Sequence, residues 1–188
     1  ATAAATDNWG AIQAAINYVG DALAGGTVVI DGGYKVAQEL FLTTPLVRIT
    51  GLGSRWASIY TTTPNHNVIK FAAARCQVNN LSVFSYIRST VASAPIAFVN
   101  GAVQCTVDDC DVVGGFYSIA VVGTGATDNH INNSVFRAAI GGAVCYIQGG
   151  GAIFFDRCLF NQDWPVTTPA VNGSQDGGNW ASGQSYAT

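Results

Sequence analysis

Ile49-Thr50-Gly51-Leu52 is the first statement of a short phrase that the chain repeats. It returns as Val78-Asn79-Asn80-Leu81, Val107-Asp108-Asp109-Cys110, Ile131-Asn132-Asn133-Ser134 and Phe155-Asp156-Arg157-Cys158. The apolar anchors at 49, 78, 107, 131 and 155 are 29, 29, 24 and 24 residues apart. Self-similarity at that period marks a solenoid, whose repeats bury their apolar faces only by stacking on one another.

Each anchor is preceded by a second apolar segment: Val68-Ile69-Lys70-Phe71, Ile96-Ala97-Phe98-Val99, Ile119-Ala120-Val121-Val122 and Val144-Cys145-Tyr146-Ile147. These are β-branched or aromatic, bounded by Gly, Asn, Ser or Pro, with no helical period between them. Two short strands per coil predict a parallel β-helix rather than a leucine-rich or α-helical solenoid. The alignment predicts side-chain columns. Leu52, Leu81, Cys110, Ser134 and Cys158 share one, and Val83, Val112, Phe136 and Phe160 share another that faces inward. Gly51, Asn80, Asp109, Asn133 and Arg157 share a turn, where Asn tolerates a left-handed bend and its amide can bond neighbouring coils. Asp109 and Arg157 are expected to pair within that stack.

Ahead of the coils, Trp9, Ile12, Ile16, Val19 and Leu23 form one apolar stripe of an amphipathic helix, with Asp7 as N-cap and Gly25-Gly26 at its end. Placed before the first coil, it would cap the open end of the stack. The sequence divides into a lead-in and capping helix over 1–26, coils over 27–164, and a Gly/Ser/Asn-rich loop or linker over 165–188.

Composition sets outer limits. With 49% apolar and only 10% charged residues, the chain of 188 residues has ample surface to bury. It lacks Met altogether, as expected of a segment of a larger protein. A net charge of −3 gives no footprint for nucleic acid. No apolar run approaches the roughly eighteen residues of a membrane span, and no basic leader opens the chain. The five cysteines lack CxxC spacing and read as small buried hydrophobes. Cys110 and Cys158 fall two coils apart, too far to bridge, whereas Cys76 and Cys105 fall in adjacent coils.

Thr6-Asp7-Asn8-Trp9-Gly10-Ala11-Ile12-Gln13-Ala14-Ala15-Ile16, then Gly25-Gly26-Thr27-Val28-Val29-Ile30 and Gly33-Tyr34, resembles the opening of pectate-lyase-superfamily right-handed β-helices. That opening is common in bacteriophage tailspikes and related polysaccharide-acting proteins. The resemblance covers residues 6–60 by motif and 60–163 by repeat style. It implies a single-stranded right-handed parallel β-helix, an all-β solenoid with an N-terminal capping α-helix. It also implies a homotrimer, a place in a virion tail or outside the cell, and a polysaccharide partner: capsule, exopolysaccharide or lipopolysaccharide. The family's Pro-containing turn is replaced here by Asp31-Gly32-Gly33. No pectate-lyase catalytic motif is recognisable, and no calcium-binding carboxylate carries over to a residue of this chain.

Two sets of residues could act on glycans. The first is acidic. Asp108 and Asp111 lie in one coil, and Asp156 shares the column of Asp108 two coils away. Glycosidases need carboxylates about 5 Å or about 6.5–9.5 Å apart, and two strand spacings give roughly 10 Å. Asp128, beside His130, is a further candidate. The competing reading for each acid is a solvated turn residue. The second set is aromatic: Trp56, Tyr86, Phe116 with Tyr117, and Trp164 follow successive anchors and would make a stacking ledge for sugar rings, or pack against coils or a partner subunit. Asn65, His66, Arg88 and Gln162 would supply hydrogen bonds. There is no GxSxG, HExxH or phosphate-binding loop, and no cofactor or metal is implied. Three functions remain open: recognition and possibly depolymerisation of surface polysaccharide, a non-catalytic assembly module of a virion or cell-surface fibre, and a polysaccharide lyase. An enzyme of this kind would be a glycoside hydrolase or a lyase.

Overall fold

The structure is a computed structural model and describes residues 6–53, 57–85, 93–137, 144–161 and 185–187. It is a parallel β-solenoid with one short N-terminal helix, and each coil has three strands rather than two. The first sheet stacks Gly26–Ile30, Val47–Gly51, Gln77–Asn79, Thr106–Asp108, Asn129–Asn132 and Ile153–Asp156, all parallel. The second stacks Gly33–Lys35, Ser58–Thr61, Ser82–Ser85, Asp111–Gly114, Val135–Arg137 and Cys158–Asn161 in parallel, and Ser185–Ala187 joins Cys158–Asn161 antiparallel. The third stacks Leu40–Leu42, Ile69–Phe71, Ile96–Phe98, Ile119–Val122 and Cys145–Gln148. The chain visits the three sheets in turn and then rises one coil.

The strand period explains the core. Successive side chains alternate between faces, so every second residue points into the coil. On the first sheet Val28, Ile49, Val78, Val107, Ile131 and Phe155 stack inward in register. On the second, Ile59, Val83, Val112, Phe136 and Phe160 do the same, and Phe136 stacks on Phe160 at 5.4 Å between ring centroids. On the third, Phe71 and Phe98 stack 4.6 Å apart with their rings 9° from parallel. The column ending in Cys158 holds Ala57, Leu81, Cys110 and Ser134. Leu52 is not in it. Leu52 is exposed, because extra residues at that corner bring Ala57 round to the position opposite Leu81.

Two corners carry ladders of left-handed residues. Between the first and second sheets, Asn80, Asp109, Asn133 and Arg157 have φ of 54°, 50°, 49° and 51°. Gly51 occupies the same column because a Cβ there would sit 2.1 Å from the carbonyl oxygen of Asn80. The Asn80 amide donates to the Gly51 carbonyl at 2.9 Å, whereas the Asn133 amide donates to the carboxylate of Asp108 at 2.8 Å. Arg157 pairs with Asp156 at 3.2 Å, not with Asp109, from which it is separated by the intervening coil of Asn133. Between the third and first sheets, Leu46, Arg75, Gln104 and Asp128 form a second ladder, with φ from 54° to 65°.

Directly after that second ladder comes the inward column Val47, Cys76, Cys105, Asn129 and Ile153. All five cysteines are free, and Cys76 and Cys105 are buried neighbours. The Cys105 thiol is pushed up by its contact with Cys76 and then by burial. Asn129 is fully buried yet satisfied. Its side-chain oxygen accepts from Cys105 N–H and its amide donates to Ala102, each at 2.9 Å. Asn129→Ala strands both backbone groups. We expect it to lower the unfolding free energy by about 2–3 kcal/mol, read by guanidinium denaturation; an unchanged midpoint would show that the two groups find other partners.

The helix Trp9–Asn17 covers the N-terminal end, with Ile12 and Ile16 buried against the first coil. Asp7 caps from one residue before the formal cap, Asn8, accepting Trp9 N–H at 3.0 Å and Ala37 N–H at 2.9 Å. Gln13 acts as a substitute strand. Its amide accepts Phe41 N–H at 2.8 Å and donates to Phe41 C=O at 3.1 Å, which satisfies the edge of the third sheet. Residues Tyr18–Ala22 continue as a π-turn. The wider turn rotates the residues after it, so Leu23, placed in the apolar stripe by its spacing, is exposed.

Candidate functional site

The four acidic candidates sit on different parts of the coil. Asp108 and Asp156 point outward from the first sheet in one row, with Asn132 between them. Asp108 accepts from the Asn133 amide, and Asp156 pairs with Arg157. Asp111 lies past the corner on the second sheet and forms an ion pair with Arg137. Asp128 stands at the opposite corner, in the left-handed ladder. The fold sets the four on two sheets and a corner rather than around one point. Beside the Asp108 row runs a second outward row, in which His130 stacks on Phe154 at 4.8 Å. Among the described residues no group of three His, Cys, Asp or Glu side chains could hold a metal ion.

Of the aromatic series, Trp56, Tyr86 and Trp164 lie outside the described residues, as do Arg88 and Gln162. Phe116 and Tyr117 meet edge to face at 4.9 Å, and Tyr117 stacks on Tyr146 at 4.4 Å with the rings 6° from parallel. Tyr146 comes from the next coil, on the outer face of the third sheet.

That outer face is where the surface becomes concave. Its central row is Phe41, Lys70, Ala97, Ala120 and Tyr146, one residue per coil. The two alanines form a low floor between taller neighbours. A depression of about 170 Å³ lies over them, bounded by Lys70 and Asn67 at one end, Tyr117 and Tyr146 at the other, and flanked by Val99 and Val122. A second depression, of about 360 Å³, adjoins it towards the N-terminal helix and is lined by Trp9, Gln38, Glu39, Phe41, Asn65 and His66. Glu39 and Lys70 hold the junction. Their ion pair is 3.1 Å, the same carboxylate accepts from the Asn67 amide at 2.8 Å, and Lys70 Nζ lies 5.0 Å from the Phe41 ring centroid. The Trp9 indole is fixed by donating to the Glu39 carbonyl at 2.8 Å. Together the two depressions make a groove crossing all five strands of the sheet, with aromatic side chains at both ends and hydrogen-bonding groups between.

Asn65, His66 and Tyr117 were legible in the sequence as possible binding residues; Glu39, Asn67, Lys70 and Tyr146 were not. The signal was there for two of these. Lys70 and Tyr146 break otherwise apolar strands at alternate positions, which marks them as outward.

No protein-family model and no curated protein matches the chain. Solved structures do. The Dettilon tailspike protein (gp208) matches with a TM-score of 0.64 at 15% identity, over 84% of this chain and 37% of that one. The chain is tailspike-like in fold. Geobacillus virus E2 ORF18 matches with a TM-score of 0.53 at 18% identity, over 88% of this chain and 41% of that one. The tailspike-like chain thus spans about two fifths of the length of these two proteins. At such identities the likeness is one of fold. No helix among the described residues is long and apolar enough to cross a membrane.

Proposed function

We propose that this chain is a glycan-recognising part of a tailspike-like virion protein, and that an extended bacterial surface polysaccharide lies along the groove of the third sheet. The observation that carries this reading is the arrangement on that face: a two-alanine floor between the Tyr117–Tyr146 stack and the Glu39–Lys70–Asn67 cluster. A flat floor admits a sugar ring close to the backbone, aromatic faces stack on it, and amides and charged groups bond its hydroxyls. The fold shared with a protein named as a tailspike gives the setting: a virion tail, a capsule, exopolysaccharide or lipopolysaccharide partner, and a trimer.

The test is binding to an array of capsular and O-antigen polysaccharides. Tyr117→Ala with Tyr146→Ala is expected to weaken binding at least tenfold, since ring stacking is worth about 1–3 kcal/mol per ring. Unchanged binding by a folded variant would remove the groove from the reading. If the chain also cleaves its glycan, Asp108, Asp111, Asp128 and Asp156 remain the proposed acids. New reducing ends would then indicate a hydrolase, and absorbance near 235 nm a lyase. An assembly role has one observation in its favour: Val29, Leu46 and Leu52 are exposed at the N-terminal end of the stack, as a subunit contact would require.

A further inference from the structure

Lys70 is the only lysine or arginine among the described residues that line the groove, and it is not available as a free cation. Glu39 pairs with it at 3.1 Å, with both side chains largely shielded from solvent. The Phe41 ring face covers it from the neighbouring coil. Glu39 is in turn held in place by the backbone N–H and side-chain amide of Asn67, at 3.2 and 2.8 Å. The carboxylate is therefore positioned twice over, and its negative charge cancels that of the lysine where the two depressions meet. The rest of the described lining is aromatic, aliphatic or amide, with His66 at the far end beside Asn65. A polyanionic chain laid along this groove would meet no uncompensated lysine or arginine and one carboxylate. A neutral chain would meet ring faces, alanine methyls and hydrogen-bonding groups.

We propose that the groove selects uncharged glycans over anionic ones, and that Glu39 is the specificity-determining residue because it neutralises Lys70. This rests on the groove being the glycan site. Charge complementarity governs which partners are rejected more than it sets overall affinity, so the effect falls on discrimination.

The experiment compares the full chain, Glu39→Gln, and the double variant Glu39→Gln with Lys70→Gln on one array of capsular and O-antigen polysaccharides with neutral and uronate- or sialate-bearing repeats. The unaltered chain is expected to bind neutral repeats only, with affinity changing less than about twofold from about 50 to about 500 mM NaCl. Glu39→Gln keeps an oxygen acceptor for Asn67 but frees the lysine. It is expected to gain at least tenfold on anionic repeats, and that gain should vanish at high salt. The double variant restores neutrality and is expected to return to the original preference, which separates a charge effect from a loss of fold. Binding of anionic repeats by the unaltered chain, or a Glu39→Gln preference equal to that of the double variant, overturns the assignment while leaving the groove as a glycan site. Absence of binding to every repeat overturns the glycan reading and this inference with it.

Discussion

Phe98→Ala is expected to lower the unfolding free energy by about 3–5 kcal/mol, the usual cost of removing a fully buried ring. Phe98 is completely inaccessible to solvent and lies between two coils. Its ring stacks on Phe71 at 4.6 Å on one side, and Val121 stands opposite it in register on the other. In a globular core, neighbours from several directions relax into a void. In a solenoid the side chain touches chiefly the coils above and below, so its loss weakens two interfaces at once. Phe98→Leu keeps most of the volume and is expected to cost about half as much. Guanidinium denaturation followed by far-ultraviolet circular dichroism reads both. A loss below about 1 kcal/mol for Phe98→Ala would mean that the Phe71–Phe98 stack is not part of the folded core. Hydrogen exchange adds a spatial check: protection should fall first in Ile69–Phe71, Ile96–Phe98 and Ile119–Val122, the three strands around the ring.

The stack and its period were legible because the anchors recur at nearly constant separation and because one register fixes the whole column. Val83, Val112, Phe136 and Phe160 fell into line from alignment alone, and they do face inward. The second sheet was hidden as a sheet, since its strands are three or four residues long and come after the anchor strand with only a two-residue corner between them in the later coils. Leu52 was misplaced because counting from the anchor cannot see extra residues at one corner. Leu23 was misplaced because a π-turn has a period that an α-helical stripe does not share. The groove was the least legible part. Its floor is Ala97 and Ala120, whose small size says nothing until the taller Lys70 and Tyr146 are known to stand beside them in the same row. The acidic candidates were conspicuous in the sequence because carboxylates are scarce in it. Three of the four are engaged locally, by Asn133, Arg137 and Arg157, and the fourth occupies a corner of the coil.

Alkaline pH should unfold this chain through its buried thiols. Cys110 sits in the inward column between Leu81 and Ser134, with its sulfur donating to Asp108 C=O at 3.3 Å. Burial pushes this thiol from its ordinary value of 9.0 up to about 12. In the unfolded chain the thiol loses its proton as pH passes 9, whereas the folded chain holds it until about 12. The native state therefore binds more protons across that window. The stabilising contribution is complete below pH 9 and is lost as pH rises towards 12. By pH 10.5 the loss from Cys110 alone is about 2 kcal/mol, at about 1.4 kcal/mol per pH unit. Cys145, raised to about 12 by burial and then by the neighbouring Cys158 thiol, acts in the same direction. Urea unfolding of the chain and of Cys110→Ala, both under reductant, isolates the effect from the titration of other groups. The stability difference between the two is expected to shrink by about 2 kcal/mol between pH 8 and pH 10.5. A difference that stays constant would mean that Cys110 ionises in the folded chain as it does in the unfolded one, and that the interior column at this coil is open to water.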